Sequence, residues 1–199
     1  VLVPRPETEL LVDWASECLA ALASDPARAT ERGALRAVDL GTGSGAIALA
    51  LKNAQPGADV TATDISTLAL AVARRNAERL GLAVELVEAW WWRGLEGRRF
   101  DIAVANPPYV AAQDPHLAAL RFEPALALTP GGDGLGALRA LAAGAGAGLL
   151  PGGRLIVEHG FDQAAAVRAM LGAAGLTEVE TRRDLAGLER ATSGRFAPV

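Results

Sequence analysis

The apolar positions of this chain switch repeatedly between two spacings. Near the start, Leu10, Leu11, Trp14, Cys18 and Leu22 recur along one helical face, which predicts a helix over about 7–23. Pro4 and Pro6 keep the residues before it extended. Pro6 suits a first helical position, and Glu7 and Glu9 lie near the positive end of the helix dipole. Short runs of strand length, rich in apolar and β-branched residues, follow at 37–40, 60–64, 84–87, 100–105 and 154–158. Between them, helices are predicted over 46–53, from a Ser66 cap to Gly81, over 135–149 and over 162–171, the third weakened by Gly144, Gly146 and Gly148. Two β-like runs near 176–182 and 189–197 close the chain. Strands alternating with helices predict a parallel sheet covered on both faces. The stretch holding Pro115, Pro124 and Pro130 reads as a long irregular loop, a kind that is usually functional or disordered.

Composition narrows the class. The 199 residues, 51% hydrophobic and 21% charged, suffice for one domain with a full core, so 1–199 is read as a single domain. A net charge of −4 without a basic stripe argues against stable nucleic-acid binding. Cys18 is the one cysteine, so no internal disulfide can form, which fits a reducing, cytoplasmic location; it reads as a small core residue. No apolar run reaches transmembrane length, so no membrane partner is expected. His116 and His159 stand far apart without ligand partners, and no metal is expected. The start at Val1 rather than Met suggests a fragment or a trimmed terminus.

Three features carry chemistry. Asp39-Leu40-Gly41-Thr42-Gly43-Ser44-Gly45 falls at the first strand-to-helix turn. Glycines there let backbone approach a ligand, and the helix start offers free N–H groups. Close strand–helix packing also demands glycine, so the loop alone decides little. Asp64, twenty-three residues beyond Gly41, ends the second strand, where an acid reads vicinal ribose hydroxyls. Asn106-Pro107-Pro108-Tyr109 follows the run Phe100–Ala105 directly, at a carboxyl strand end, where open α/β sheets bind ligands. Its prolines fix φ and carry no N–H. What it offers is acceptors, the Asn106 side-chain oxygen and the Pro107 carbonyl, suited to hold a planar NH₂ group. Standing alone, such a tetrapeptide is equally an ordinary turn. Glycine loop and ribose acid alone also fit a dinucleotide. The Gly-x-Gly-x-Gly spacing lacks the later glycine of the dinucleotide fingerprint, Asp39 can face a ligand's ammonium group, and a dehydrogenase needs no acceptor site. Together these favour S-adenosylmethionine.

In this order the three features resemble class I S-adenosylmethionine-dependent methyltransferases acting on exocyclic or amide nitrogen. With Pro4-Arg5-Pro6-Glu7-Thr8-Glu9, Val110 after Tyr109, Phe122-Glu123-Pro124, Gly132-Asp133-Gly134-Leu135 and Asp184-Leu185-Ala186-Gly187-Leu188-Glu189-Arg190, nearly the whole chain is similar to the peptide chain release factor glutamine N5-methyltransferases. The resemblance implies a Rossmann-like α/β fold, a mostly parallel seven-stranded sheet with helices on both faces and a C-terminal antiparallel hairpin. It implies methyl transfer from S-adenosyl-L-methionine to the glutamine of the Gly-Gly-Gln motif of release factors, the protein partner. It also implies cofactor binding by Gly41, Thr42, Gly43, Ser44, Gly45, Asp64, Trp91 and Asn106, to which the reading of the loop adds Asp39. Catalysis would fall to Asn106, Pro107, Pro108 and Tyr109, with Tyr109 packing on the substrate. Where the family often has an acid near the adenine, this chain has Trp90, so stacking is expected there. The family's amino-terminal helical docking domain is expected to be absent from 1–199, and the loop between His116 and Phe122 to be shorter than usual.

Side chains on a strand alternate faces. Not all three tryptophans can then line one pocket: Trp91, and after it Trp90, is read as the adenine neighbour, and Trp92 as packed in the core or partly exposed. Glu123 is read either as orienting the Asn-Pro-Pro-Tyr loop or as a surface acid. Two other functions are open. An adenine-N6 DNA or RNA methyltransferase makes the same demand on Asn-Pro-Pro-Tyr, but it must flip its base and hold the backbone, which needs basic surface. A non-catalytic cofactor-binding scaffold would have no use for the intact acceptor motif.

Overall fold

A computed structural model describes residues 1, 4–25, 33–113 and 128–197. The expectations placed on His116, Phe122, Glu123 and Pro124 lie outside the described residues. A 3₁₀ turn, Pro6–Thr8, leads into α1 (Glu9–Ala23), whose buried stripe is Leu11, Trp14, Ala15 and Leu19. The alternating elements are β1 (Arg36–Leu40), α2 (Ala46–Ala54), β2 (Asp59–Asp64), α3 (Thr67–Leu80), β3 (Glu85–Glu88) and β4 (Phe100–Ala105). Then come α4 (Gly136–Gly148), β5 (Leu149–Glu158), α5 (Ala164–Ala173), β6 (Leu176–Arg183) and β7 (Glu189–Phe196). Ser66 caps α3 by accepting from the Ala69 N–H, and Gly81, with φ 66°, ends it.

The seven strands form one sheet in the order β3-β2-β1-β4-β5-β7-β6. The first five are parallel, and β7 runs antiparallel to both β5 and β6. Continuous apolar runs are what a sheet buried on both faces requires. Val38, Ala103, Ala105, Leu155 and Val157 pack on one side with Leu138 and Leu141 of α4 and Leu171 of α5. Ala37, Ile102, Val104 and Ile156 pack on the other with Leu11 and Trp14 of α1 and Ile47 and Leu51 of α2. No helix of the described residues is long and apolar enough to cross a membrane.

Strand β5 starts five residues before the apolar run that announces it. Leu149 pairs with Phe100, and the register shifts before Arg154 meets Ile102. Pro151-Gly152-Gly153 forms the irregularity within this strand. A Cβ on Gly153 would stand 2.9 Å from each of the carbonyl oxygens of Phe100, Asp101 and Leu150, so only glycine lets the two backbones close there.

The glycines of α4 also have a packing reason. The Trp92 indole lies across the helix, and its Nε1–H donates to the Leu141 carbonyl at 2.9 Å. Cβ atoms on Gly144 and Gly148 would overlap that ring. Gly146 faces elsewhere, and a Cβ there would meet only Phe196, at an ordinary 3.5 Å. Helix propensity alone favours alanine over glycine by about 0.5–1 kcal/mol, whereas overpacking a filled site costs about 1–3 kcal/mol. Gly146→Ala is therefore expected to raise stability in urea unfolding and Gly144→Ala to lower it. Equal gains at both positions would show that Trp92 does not need the groove.

Candidate functional site at the carboxyl ends of the central strands

Strands β1 and β4 lie side by side, with Asp39 opposite Val104, so the loops that follow them open next to each other. The loop after β1 is anchored on β2, because the N–H groups of Gly41 and Thr42 both donate to the Thr63 carbonyl, at 2.9 and 2.7 Å. Its three glycines all have positive φ, at 82°, 57° and 86° for Gly41, Gly43 and Gly45, but they differ in purpose. A Cβ on Gly41 would stand 3.0 Å from the Trp91 ring, and one on Gly45 would press on Leu49 and Ala73 at 3.1–3.3 Å. Gly43 alone faces open space. Ser44 accepts from Asn76 Nδ2 through its carbonyl at 2.9 Å, which ties the loop to α3.

Two carboxylates flank this loop. Asp64 accepts from the Gly43 N–H at 2.9 Å on Oδ2 and from the Ser66 N–H at 2.8 Å on Oδ1. Each oxygen keeps acceptor capacity beyond its one backbone donor. Asp39 is fully buried. Its Oδ2 accepts from the Thr42 hydroxyl at 2.6 Å and the Ala48 N–H at 3.1 Å, while its buried Oδ1 has no hydrogen-bond partner. Burial pushes the Asp39 carboxyl up to about 7, against the pull of those two donors.

Residues 90–93 form a tight turn rather than a strand end: Trp90 and Arg93 exchange backbone hydrogen bonds at 3.1 and 3.0 Å. Trp91 has φ 53°. The turn directs the three indoles to three places. Trp90 is 54% exposed, with the Arg93 guanidinium 5.8 Å from its ring. Trp91 leans on Gly41, and Trp92 enters the core against α4.

Beyond β4, Asn106 Nδ2 donates to Thr8 Oγ1 at 3.0 Å, and the Thr8 hydroxyl donates to Glu158 Oε2 at 2.9 Å. The Tyr109 hydroxyl donates to Glu158 Oε1 at 3.1 Å. Burial and the Glu158 charge raise the Tyr109 hydroxyl above its ordinary value, so it stays protonated as a donor. No hydrogen bond reaches Asn106 Oδ1 from the described residues. The Tyr109 carbonyl accepts from Gln163 Nε2 at 2.9 Å, and a Cβ on Gly134 would overlap it. The Gly132–Leu135 segment is thus shaped to clamp the loop.

The expected residues fall into two adjacent groups: Asp39, the 41–45 loop, Asp64 and Trp91 around the ends of β1 and β2, and Asn106 to Tyr109 at the end of β4. Trp90 lies at the exposed rim. Sequence reasoning missed Thr8 and Glu158 as parts of the site. Glu158 carried a usable signal, an acid at the carboxyl end of a strand, as Asp64 is. Among the described residues no group of His, Cys, Asp and Glu is placed to hold a metal ion. A separate groove of about 580 Å³ lies at the opposite ends of the strands. There Arg98 pairs with Glu85, and Lys52 Nζ donates to the carbonyls of Pro56 and Ala58.

Residues 10–135 match the family model "Methyltransferase small domain". The release factor glutamine methyltransferase of Bordetella pertussis is 52% identical over 197 residues, covering 98% of this chain and 69% of that protein. Its counterpart in Xylella fastidiosa is 54% identical over 197 residues, covering 98% and 68%. The chain belongs to the release factor glutamine methyltransferases. In fold, this family member is similar to the ribosomal protein L11 methylase of Lactobacillus delbrueckii subsp. bulgaricus, with TM-score 0.65 and 21% identity over 98% of this chain and 81% of that one. It is also similar to a methyltransferase from Pyrococcus furiosus, with TM-score 0.62 and 21% identity over 86% and 79%.

Asp39 sets a pH dependence. Its folded-state pKa of about 7 lies above the ordinary 3.8, so between these values the native state holds a proton that the unfolded chain has lost. Its contribution is complete below about pH 4 and is lost as the pH rises to about 7, on the order of 4 kcal/mol. Asp39→Asn removes the titration. In ligand-free protein, its melting temperature relative to wild type is expected to climb between pH 4.5 and 8. A constant gap would show that Asp39 titrates normally.

Proposed function

We propose that this protein transfers the methyl group of S-adenosylmethionine to the side-chain amide nitrogen, N5, of the glutamine in the Gly-Gly-Gln motif of peptide chain release factors. The observation that carries the reading is Asn106, held at the end of β4 by its NH₂ group with its carboxamide oxygen unengaged by the described residues, beside the loop of β1. The names of the relatives give the substrate class, and the same reading puts the protein in the cytoplasm with its release factor.

The residues fit the cofactor. The orphaned, buried Oδ1 leaves Asp39 short of a positive partner, which the cofactor's ammonium group would supply. Asp64 retains acceptor capacity for two ribose hydroxyls, and Gly43 opens the loop for close approach. Gly41, Thr42, Ser44 and Gly45 shape the loop, with Trp91 and then Trp90 on the adenine side and Asn106 at the reacting end. When bound, S-adenosylmethionine supplies an electrophilic methyl group.

The chain's own residues do the rest. An amide nitrogen is a poor nucleophile because its lone pair is delocalised into the carbonyl. Asn106 Oδ1 and the Pro107 carbonyl accept its two hydrogens, orient it and favour the positive charge that develops on it. Pro107 and Pro108 hold those acceptors rigid. Tyr109 anchors the loop through Glu158 rather than reaching out through its hydroxyl. Among the described residues no side chain is assigned as general base, and the proton leaves late, to water.

Asn106→Ala is expected to lower single-turnover methylation of release factor by about 10²–10³, the scale for one preorganised polar group, while sparing cofactor affinity. A near wild-type rate would reduce Asn-Pro-Pro-Tyr to a turn. Tritium transfer from labelled cofactor to release factor, DNA and tRNA side by side checks the substrate: label in release factor alone is expected, and label in nucleic acid would favour the adenine reading. Asp64→Ala should weaken cofactor binding by about 1.5–3 kcal/mol, the worth of hydrogen bonds to a charged group. Unchanged affinity in calorimetric titration would remove Asp64 from the site.

A further inference from the structure

We propose that Thr8 and Glu158 are positioning residues, a buried hydrogen-bond relay that fixes which end of the Asn106 carboxamide faces the methyl acceptor. The proposal rests on the reading of Asn106 as the acceptor clamp. It explains something that reading leaves open. A carboxamide has two ends of nearly equal shape, one donating and one accepting, and only the accepting end can hold an NH₂ group.

The polarity follows from a count of hydrogens. A threonine hydroxyl has one hydrogen and can accept further bonds, whereas an ionised carboxylate only accepts. At 2.9 Å from Glu158 Oε2, the Thr8 hydrogen is committed to the carboxylate. Toward Asn106 the Thr8 oxygen can then only accept, and the partner 3.0 Å away must be the Nδ2 amine. The planar amide consequently turns Oδ1 away from Thr8. A flipped amide would set two acceptors against each other. Water does not loosen the choice, since Thr8 is 7% exposed and Glu158 1%.

The same carboxylate holds the far end of the motif. Tyr109 donates to Oε1 while Thr8 occupies Oε2, so one residue on β5 fixes both Asn106 and Tyr109. The sheet places it there: Val157 pairs with Ala105, which brings Glu158 level with the residue that follows β4. Burial, the largest influence, and the charge of Glu7 raise the Glu158 carboxyl above its ordinary value, while the Thr8 and Tyr109 hydrogen bonds and the positive charge of Arg190 pull toward the ionised form that the relay needs.

Thr8→Val keeps the shape and removes the hydroxyl, and Thr8→Ser keeps the hydroxyl. Loss of one neutral hydrogen bond corresponds to about five- to tenfold in rate. Thr8→Val should therefore slow single-turnover methylation of release factor by about that factor with cofactor affinity unchanged, and Thr8→Ser should recover most of it. In an Asn106→Ala background, Thr8→Val should cost nothing more, because the relay acts only through that amide. A parallel loss of cofactor affinity, or full additivity with Asn106→Ala, would overturn the relay. So would a wild-type rate for Thr8→Val where Asn106→Ala is slow, which leaves the clamp itself intact. Wild-type rates for both would overturn the clamp as well.

Discussion

The site depends on one topological constraint: β1 and β4 are neighbours in the sheet, yet the chain leaves them toward opposite faces. After β1 it turns into α2, which packs with α1 on one side. The segment after β4 leads to α4, which packs on the other. Two loops that diverge from adjacent strands leave a crevice between them, and neither core can fill it. The glycine loop stands on the β1 side of this divergence and Asn106 to Tyr109 on the β4 side. Because the parallel strands are buried on both faces, their carboxyl ends are where polar side chains can meet a ligand without leaving the sheet.

That crevice is built from groups that cost stability when nothing is bound. Asp39 and Glu158 are both buried carboxylates, and desolvation raises both above their ordinary values. They are treated differently. Glu158 has a donor on each oxygen, so its charge is spent inside the protein on orienting neighbours. Asp39 has both its donors on Oδ2 and none on Oδ1, so one of its oxygens is left without a partner inside the protein. A satisfied carboxylate serves as scaffold, and under the proposed function the half-satisfied one would be completed by the cofactor's ammonium group.

How much of this could be read from the sequence depended on whether the signal was local. The strand-end positions of Asp64 and Asn106 were legible because each closes a short run of strand-forming residues. The alternating helices and strands were legible by their period. Glu158 carried the same mark as Asp64, but its meaning required Thr8, 150 positions away along the chain, and no pattern within a window joins the two. The first five residues of β5 were missed because the strand begins with Pro151-Gly152-Gly153 inside it, residues that carry no strand pattern. Gly144 and Gly148 looked like flaws in a helix because the indole that fills their place comes from a distant turn.

Trp90-Trp91-Trp92 shows how such distant packing shapes the site. Alternation along a strand would have sent two of the indoles to one face. Instead Trp91 adopts φ 53°, unfavourable for a bulky residue, and strain of that kind persists only where the surroundings over-determine it. Here they do so from both sides: Trp90 and Arg93 close the turn by two backbone bonds, and Trp92 is locked into the glycine groove of α4 by its bond to the Leu141 carbonyl. With both neighbours fixed, the indole of Trp91 is set against Gly41, at the mouth of the loop. The glycines of a helix on one face of the sheet therefore help to shape the wall at the end of β1. This is why their small size belongs to the site's architecture as much as to the core's.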